Sequence, residues 1–150
     1  MGTGTIDAWT EAVSVGATRP GDLMLMYGTT MFLVATVTGQ SRVPELWSTV
    51  GAFPGTRSLA GGMATSGAVT EWLRGLFGSP DHAVLLAEAA ESGVGVRGLT
   101  MLPYFAGERT PIADPEARGV IAGLTAEHTR GDLYRAAQEA RRTAYGTTER

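Results

Sequence analysis

Apolar residues at helical spacing predict four helices along the chain. The first begins at Asp7, whose carboxylate stands before the run AWTEAV and would cap the helix, and it ends by Gly16. The second covers Ser66 to Phe77 and ends at Gly78. One buried stripe is expected on it, made of Val69, Trp72, Leu73, Leu76 and Phe77.

The last two helices have recognisable starts. Ser79 and Pro80 supply a cap and a first-turn proline for a helix that runs to about Glu91. Its inward face is predicted to be Val84, Leu85 and Ala89. Thr129 caps the fourth helix, with Asp132 as the acidic partner of a capping box. The residues expected to face inward from it are Leu133, Ala136, Ala137 and Ala140.

Short β-tolerant runs predict strands between these helices. Leu23 to Tyr27 and Met31 to Val37 are separated by Gly28, Thr29 and Thr30, which indicates a hairpin with a glycine at the bend. One or two further strands are expected within 46–60, where Pro54 and Gly55 mark a turn. Two more are expected at 99–105 and 120–124, on either side of the polar loop GERTPIADPEARG. Strands mixed with helices define an α/β protein.

Composition removes several function classes. The chain has 150 residues, of which 43% are hydrophobic and 18% charged, and this is typical of one globular domain. All 12 basic residues are arginine, so catalysis through a lysine side chain is excluded. The net charge is −3 and the arginines are scattered along the sequence, which argues against nucleic-acid binding. The absence of cysteine excludes disulfides and thiol nucleophiles and leaves cytoplasm the favoured location. The longest apolar stretch, 23–37, is too short and too polar to span a membrane.

Some polar positions are suited to chemistry. A carboxylate at a helix start, such as Asp7, is held anionic and could accept a proton from a hydroxyl, although it could equally be a plain cap. The Gly28–Thr30 bend could bring N–H and hydroxyl donors to a phosphate, or be an ordinary hairpin turn. Gly67 could open a helix toward a phosphate or ribose, or only allow close packing. Arg109 could pair with a phosphate or with its neighbour Glu108, and a structural ion pair that fixes the loop is the favoured role. His82 and His128 lack the spacing of a metal site and are expected to be solvent-exposed.

Four segments in fixed order resemble the FGGY family of carbohydrate kinases, especially its xylulokinase-like members. They are GTGTIDAWTEAVSVG at 2–16, LMYGTT at 25–30, GGMATSGAVTEWL at 61–73 and LPYFAGERTP at 102–111. The resemblance implies part of a ribonuclease-H-like, actin-like ATPase fold, with a mixed sheet and flanking helices. It divides the chain into the end of an N-terminal kinase domain (1–21), a partial C-terminal domain (22–140) and a frayed tail (141–150).

The resemblance also implies roles for particular residues. Asp7 matches the family's catalytic base. Gly28 and Thr29, with Thr30 beside them, match a pair that contacts nucleotide phosphates. Gly67 and Glu71 match two further nucleotide contacts, and because Glu71 is acidic where relatives often have glutamine, a ribose hydroxyl is its expected partner. No residue of this chain is assigned to a metal, and the implied cofactors are ATP and Mg²⁺.

The function implied is ATP-dependent transfer of a γ-phosphate to a sugar hydroxyl, with a ketopentose such as xylulose as the expected acceptor. Ala8 stands where some relatives have an amide, which leaves the sugar open. The family's Asp-Gly-Thr phosphate loop and adenine site have no counterpart here, so we expect an internal fragment, inactive unless another chain supplies the missing parts. The alternative is a non-catalytic remnant or interaction domain that binds no nucleotide.

Overall fold

A four-stranded antiparallel sheet forms the first half of the molecule. The structure, a computed structural model, describes residues 6–40 and 42–143. The strands are β1 (Leu23–Tyr27), β2 (Met31–Thr38), β3 (Trp47–Val50) and β4 (Thr56–Met63), in the order β1-β2-β4-β3. The predicted hairpin is confirmed, with Tyr27 paired to Met31 across the bend.

A second, two-stranded antiparallel sheet joins β5 (Thr100–Leu102) to β6 (Val120–Ala122). Both strands are shorter than the sequence predicted. Strand β5 ends at Leu102, where the chain turns into the long polar loop, and β6 ends before Gly123, whose φ is 83°. All pairings between these named strands are antiparallel. A mixed sheet also requires parallel neighbours, and none occurs among these strands within residues 6–40 and 42–143.

Helix α1 (Asp7–Ser14) covers one face of the larger sheet. Trp9 and Ala12 are its buried residues, and they pack in one cluster with side chains that alternate along the strands. The strand members of that cluster are Met24, Val34 and Ala60, with Met26 and Phe32 beside them. Alternation along β1 puts Leu23, Leu25 and Tyr27 on the opposite face, where each is exposed.

A separate core lies between the remaining helices, α2 (Gly67–Leu76), α3 (His82–Glu91) and α4 (Arg130–Thr143). Within the described residues, none of these helices combines the length and apolar character needed to cross a bilayer. Helix α4 continues through Thr143, and residues 144–150 of the predicted tail lie outside the described residues.

The buried stripes are narrower than the sequence predicted. Helix α2 buries Val69, Thr70 and Leu73, whereas Trp72 is 44% exposed and Leu76 62% exposed. In α3 Leu85 and Ala89 are buried, but Val84 is 44% exposed. The periodicity located the helices correctly. How much of each helix surface is buried depends on the elements that pack against it, and the residue pattern of one helix does not specify them.

The start of α3 differs from the predicted one. Asp81 caps this helix, and its carboxylate accepts a hydrogen bond from the Ala83 N–H at 2.7 Å. Ser79 instead belongs to the end of α2, because its N–H donates to the Arg74 carbonyl at 2.9 Å and its φ of 56° lies in the left-handed region.

The predicted capping box of α4 is confirmed. The Asp132 carboxylate accepts hydrogen bonds from the Thr129 N–H at 2.7 Å and the Thr129 hydroxyl at 2.9 Å, and Arg97 pairs with it at 2.6 Å. The backbone hydrogen bond from Thr129 lowers the pKa of Asp132 below its ordinary value. The Thr129 hydroxyl, Ser92 and the charge of Arg97 lower this pKa further, against the opposing effect of burial.

Replacement of Asp132 by asparagine should destabilise the protein by about 1–2 kcal/mol at neutral pH, because a charge-assisted cap is lost. A lowered pKa stabilises the fold above the unfolded-state pKa, and this contribution disappears as the pH falls through the folded-state pKa. The free energies of unfolding of the two proteins, measured by urea denaturation at a series of pH values, should therefore converge as the pH falls below about 4. A matched Glu116→Gln variant, at an exposed carboxylate, should match the parent protein at every pH.

Candidate functional site

The bend between β1 and β2 presents free hydrogen-bond donors to solvent. Gly28 and Thr29 are exposed and Thr30 is half-buried. The Gly28 N–H donates to the Thr30 carbonyl at 2.9 Å and closes the bend. Within residues 6–40 and 42–143, the Thr29 N–H and the hydroxyls of Thr29 and Thr30 have no protein acceptor. The bend can therefore donate several hydrogen bonds to an anionic ligand.

The carbonyl side of the same bend binds the start of α2. The Ser66 and Ala68 N–H groups both donate to the Thr29 carbonyl, at 2.9 and 3.2 Å. The Gly67 N–H donates to the Gly28 carbonyl at 2.9 Å. Helix starts leave such N–H groups without intrahelical partners, and here the bend supplies the acceptors. These three N–H groups are therefore used within the protein and are not free to bind a phosphate, one of the roles that the sequence left open for the helix start at Gly67.

Gly67 has a packing role that the sequence alone left open. A Cβ atom built on Gly67 would lie 2.6 Å from the Gly28 carbonyl oxygen and 3.2 Å from its carbon. Real Cβ atoms do not approach a backbone oxygen so closely, so only glycine lets the helix and the bend meet. Gly28 and Gly67, predicted separately, are in direct contact.

Two contacts determine the direction of α1 across the sheet. Near its start, the Trp9 ring centroid lies 6.4 Å from that of Phe32, two residues beyond the bend. After its end, the Ala17 carbonyl accepts a hydrogen bond from the Thr36 hydroxyl at 3.2 Å, toward the far end of β2. The helix therefore has its N-terminus at the end of the sheet where the bend lies, and Asp7 comes half a turn before Trp9.

Asp7 itself is the first residue of α1 rather than its cap. Ile6 occupies the capping position and has an extended backbone with no side-chain hydrogen bond to the helix. The Asp7 carboxylate is exposed and accepts a hydrogen bond from the Ala8 N–H at 2.8 Å. The second carboxylate oxygen has no protein partner in the described residues, so it can face a substrate.

Glu71 lies one turn into α2 and has two partners within the protein. Arg74 Nη1 contacts its Oε1 at 2.7 Å, and His82 Nε2 lies 3.4 Å from its Oε2. The other ring nitrogen of His82 is 3.3 Å from the Tyr134 hydroxyl. His82 is solvent-exposed, as predicted, and it also has specific partners. The i, i+3 spacing could have revealed Arg74, whereas the approach of His82 from α3 requires the tertiary structure.

Glu108 does not form the predicted ion pair with Arg109. Its side chain is buried, with 2% of the residue exposed, and its Oε1 accepts hydrogen bonds from the Arg109 backbone N–H at 2.7 Å and the Ala64 N–H at 3.0 Å. Beside it, the Thr110 hydroxyl accepts from the Gly62 N–H at 3.2 Å. The polar loop is thereby attached to the end of β4 and to the segment that leads into α2.

Comparison with known proteins identifies the class that this fold and site define. The family model described as the FGGY family of carbohydrate kinases, C-terminal domain, matches residues 23–147. The chain belongs to this family. The resemblance read from the four sequence segments and the actin-like ATPase fold class are both confirmed.

The relatives are named as two different kinases, xylulose kinase and glycerol kinase. The chain is 33% identical over 130 residues to the xylulose kinase of Escherichia coli K12, covering 85% of this chain and 27% of the relative. It is 38% identical over 133 residues to a glycerol kinase of Rhizorhabdus wittichii, covering 84% and 26%. The crystal structure of xylulose kinase from Rhodospirillum rubrum superimposes with a TM-score of 0.83 at 36% identity, covering 93% and 28%. The chain thus spans about a quarter of the length of these relatives.

The contact between Gly67 and the bend makes a prediction about stability. Gly67→Ala should destabilise the protein by about 1–3 kcal/mol, because the new methyl group forces the helix away from the Gly28 carbonyl. Gly75 lies in the same helix, and a Cβ built on it would have nothing within 4 Å, so Gly75→Ala should stabilise by about 0.4–1 kcal/mol. Equal changes in the free energy of unfolding for the two substitutions, measured by urea denaturation, would contradict the packing role of Gly67.

Proposed function

We propose that this chain forms the part of an ATP-dependent sugar kinase in which the catalytic base and the phosphate-binding bend face a common cleft. The supporting observation is the direction of α1, which puts Asp7 at the same end of the sheet as the Gly28–Thr30 bend. A base and a phosphate site must lie close together for a hydroxyl to attack a phosphorus atom. Membership of the carbohydrate-kinase family supports the same reaction class.

In this proposal Asp7 accepts the proton of the acceptor hydroxyl while the hydroxyl oxygen forms its bond to the γ-phosphorus. The bond from that phosphorus to the bridging oxygen breaks, and ADP is the leaving group. The carboxylate is suited to this role because it is exposed at the first residue of α1. The proton moves to the oxygen of Asp7 that has no protein partner in the described residues. General-base catalysis of this kind contributes about 10²–10⁴-fold to the rate.

The bend fits the nucleotide. ATP with Mg²⁺ supplies the phosphoryl group when bound, and the Thr29 N–H and the two threonine hydroxyls are donors suited to phosphate oxygens. Mg²⁺ at nucleotide sites is commonly bound through one or two carboxylates, substrate phosphates and water. Glu71, held by Arg74 and His82, is proposed to accept a hydrogen bond from a ribose hydroxyl.

The acceptor is proposed to be a small polyhydroxylated molecule, with a ketopentose such as xylulose as the first choice. Relatives named xylulose kinase and glycerol kinase resemble the chain to a similar degree, at 33% and 38% identity, so glycerol is the second acceptor to compare. Ala8, next to the proposed base, has no side-chain donor for a sugar hydroxyl. The rest of the sugar pocket must come from outside this chain.

The decisive experiment places this chain in the Rhodospirillum rubrum xylulose kinase in exchange for the matching segment. Asp7→Asn in that hybrid should lower kcat by about 10²–10⁴-fold, because the base is lost while its shape is retained. The affinity for Mg·ADP should stay within about twofold, since Asp7 contacts the acceptor and not the nucleotide. Phosphorylation of xylulose and of glycerol would be measured in parallel.

Glu11 provides the matched control, because it is an exposed carboxylate one turn further along the same helix. Glu11→Gln should leave both kcat and nucleotide affinity unchanged. If Asp7→Asn and Glu11→Gln have the same kcat, Asp7 is not the base. If the hybrid binds no Mg·ADP although it folds, the non-catalytic alternative is favoured.

A further inference from the structure

Three buried side chains at the junction of β4 and α2 have oxygen atoms without hydrogen-bond partners. They are Glu108, Thr65 and Ser66, which are 2%, 5% and 0% exposed. The unpartnered atoms are Glu108 Oε2, Thr65 Oγ1 and Ser66 Oγ. Buried polar atoms in folded proteins are almost always satisfied, so three in one region require an explanation.

The hydrogen bonds of Glu108 place these three residues beside one another. Its Oε1 accepts from the Ala64 N–H at 3.0 Å, and Thr65 and Ser66 are the next two residues of that segment. The other Oε1 contact, at 2.7 Å, comes from the backbone of Arg109, whose own side chain is exposed. The second carboxylate oxygen is consequently left inside the junction and not directed to solvent.

The carboxyl group of Glu108 also has no cationic partner. It takes part in none of the ion pairs found in the part of the chain that the structure describes. A buried carboxylate without a cation is costly, and buried charges are normally paired or bound to a metal ion. Burial, and secondly the nearby charge of Glu108, raise the pKa of the Tyr104 hydroxyl.

We propose that Glu108 Oε2, Thr65 Oγ1 and Ser66 Oγ bind a monovalent cation, Na⁺ or K⁺, at the junction of β4, α2 and the polar loop. Oxygen atoms of carboxylates and hydroxyls are suitable ligands for hard cations. A single positive charge balances the single carboxylate, whereas Mg²⁺ would demand near-ideal octahedral geometry and leave an excess charge. A water molecule would satisfy hydrogen bonds but not the charge.

The site would support the bend without taking part in the reaction. Ser66, a proposed ligand, donates its N–H to the Thr29 carbonyl at 2.9 Å, so a cation here would hold the segment that positions the bend. The inference depends only on this buried geometry and does not require that the chain binds nucleotide or phosphorylates a sugar.

The test is the melting temperature of the full chain in KCl, NaCl and choline chloride at equal ionic strength, without nucleotide. At least one of the two metal salts should raise the melting temperature by about 3 °C or more over choline, because a ligand that binds only the folded state stabilises it. Equal melting temperatures in all three salts would overturn the proposal and indicate a bound water or a protonated Glu108.

Two variants locate the effect. Thr65→Val removes one ligand at nearly constant volume and should abolish most of the cation-dependent shift. Glu108→Gln removes the charge and should abolish the whole shift if that variant folds. Thr49→Val, on the edge strand β3, is the matched control and should keep the full shift. A cation-dependent shift that persists in Thr65→Val would place the ion elsewhere and refute this site.

Discussion

The contact between the β1–β2 bend and the start of α2 is the interaction on which the site depends. Two carbonyls of the bend accept three N–H groups of the helix start, and the absence of a side chain at Gly67 permits that approach. The contact links the four-stranded sheet to the helical half, which otherwise have separate cores. Without it, the orientation of the bend relative to α2 would not be determined.

The same contact gives the two sides of the bend different functions. Its carbonyl oxygens face the helix and are used within the protein, while the Thr29 N–H and the threonine hydroxyls have no acceptor in the described residues. In the proposed function, a phosphate binds the bend and not the start of the helix directly. The helix start holds the bend through three hydrogen bonds, and the buried Glu108 adjoins the segment that leads into the helix.

Local features of the sequence predicted much of this arrangement. The hairpin, the four helices and the Thr129–Asp132 capping box were correctly located, because each depends on residues a few positions apart. The cap of α3 was misassigned, since Ser79 is used by the end of α2 and Asp81 takes its place. The exposure of Trp72 and Leu76 was also missed, because burial depends on which elements lie opposite.

The sequence by itself determined the family, through four ordered segments, and it named the candidate residues Asp7, Gly28 and Gly67. Only the tertiary structure decided their relations. Gly28 and Gly67 are 39 positions apart, and their contact follows from how the sheet and α2 meet. Whether Glu108 pairs with Arg109 or turns inward to Ala64 was likewise settled by packing. Long-range contacts of this kind depend on the whole set of neighbours, and no short stretch of sequence contains that information.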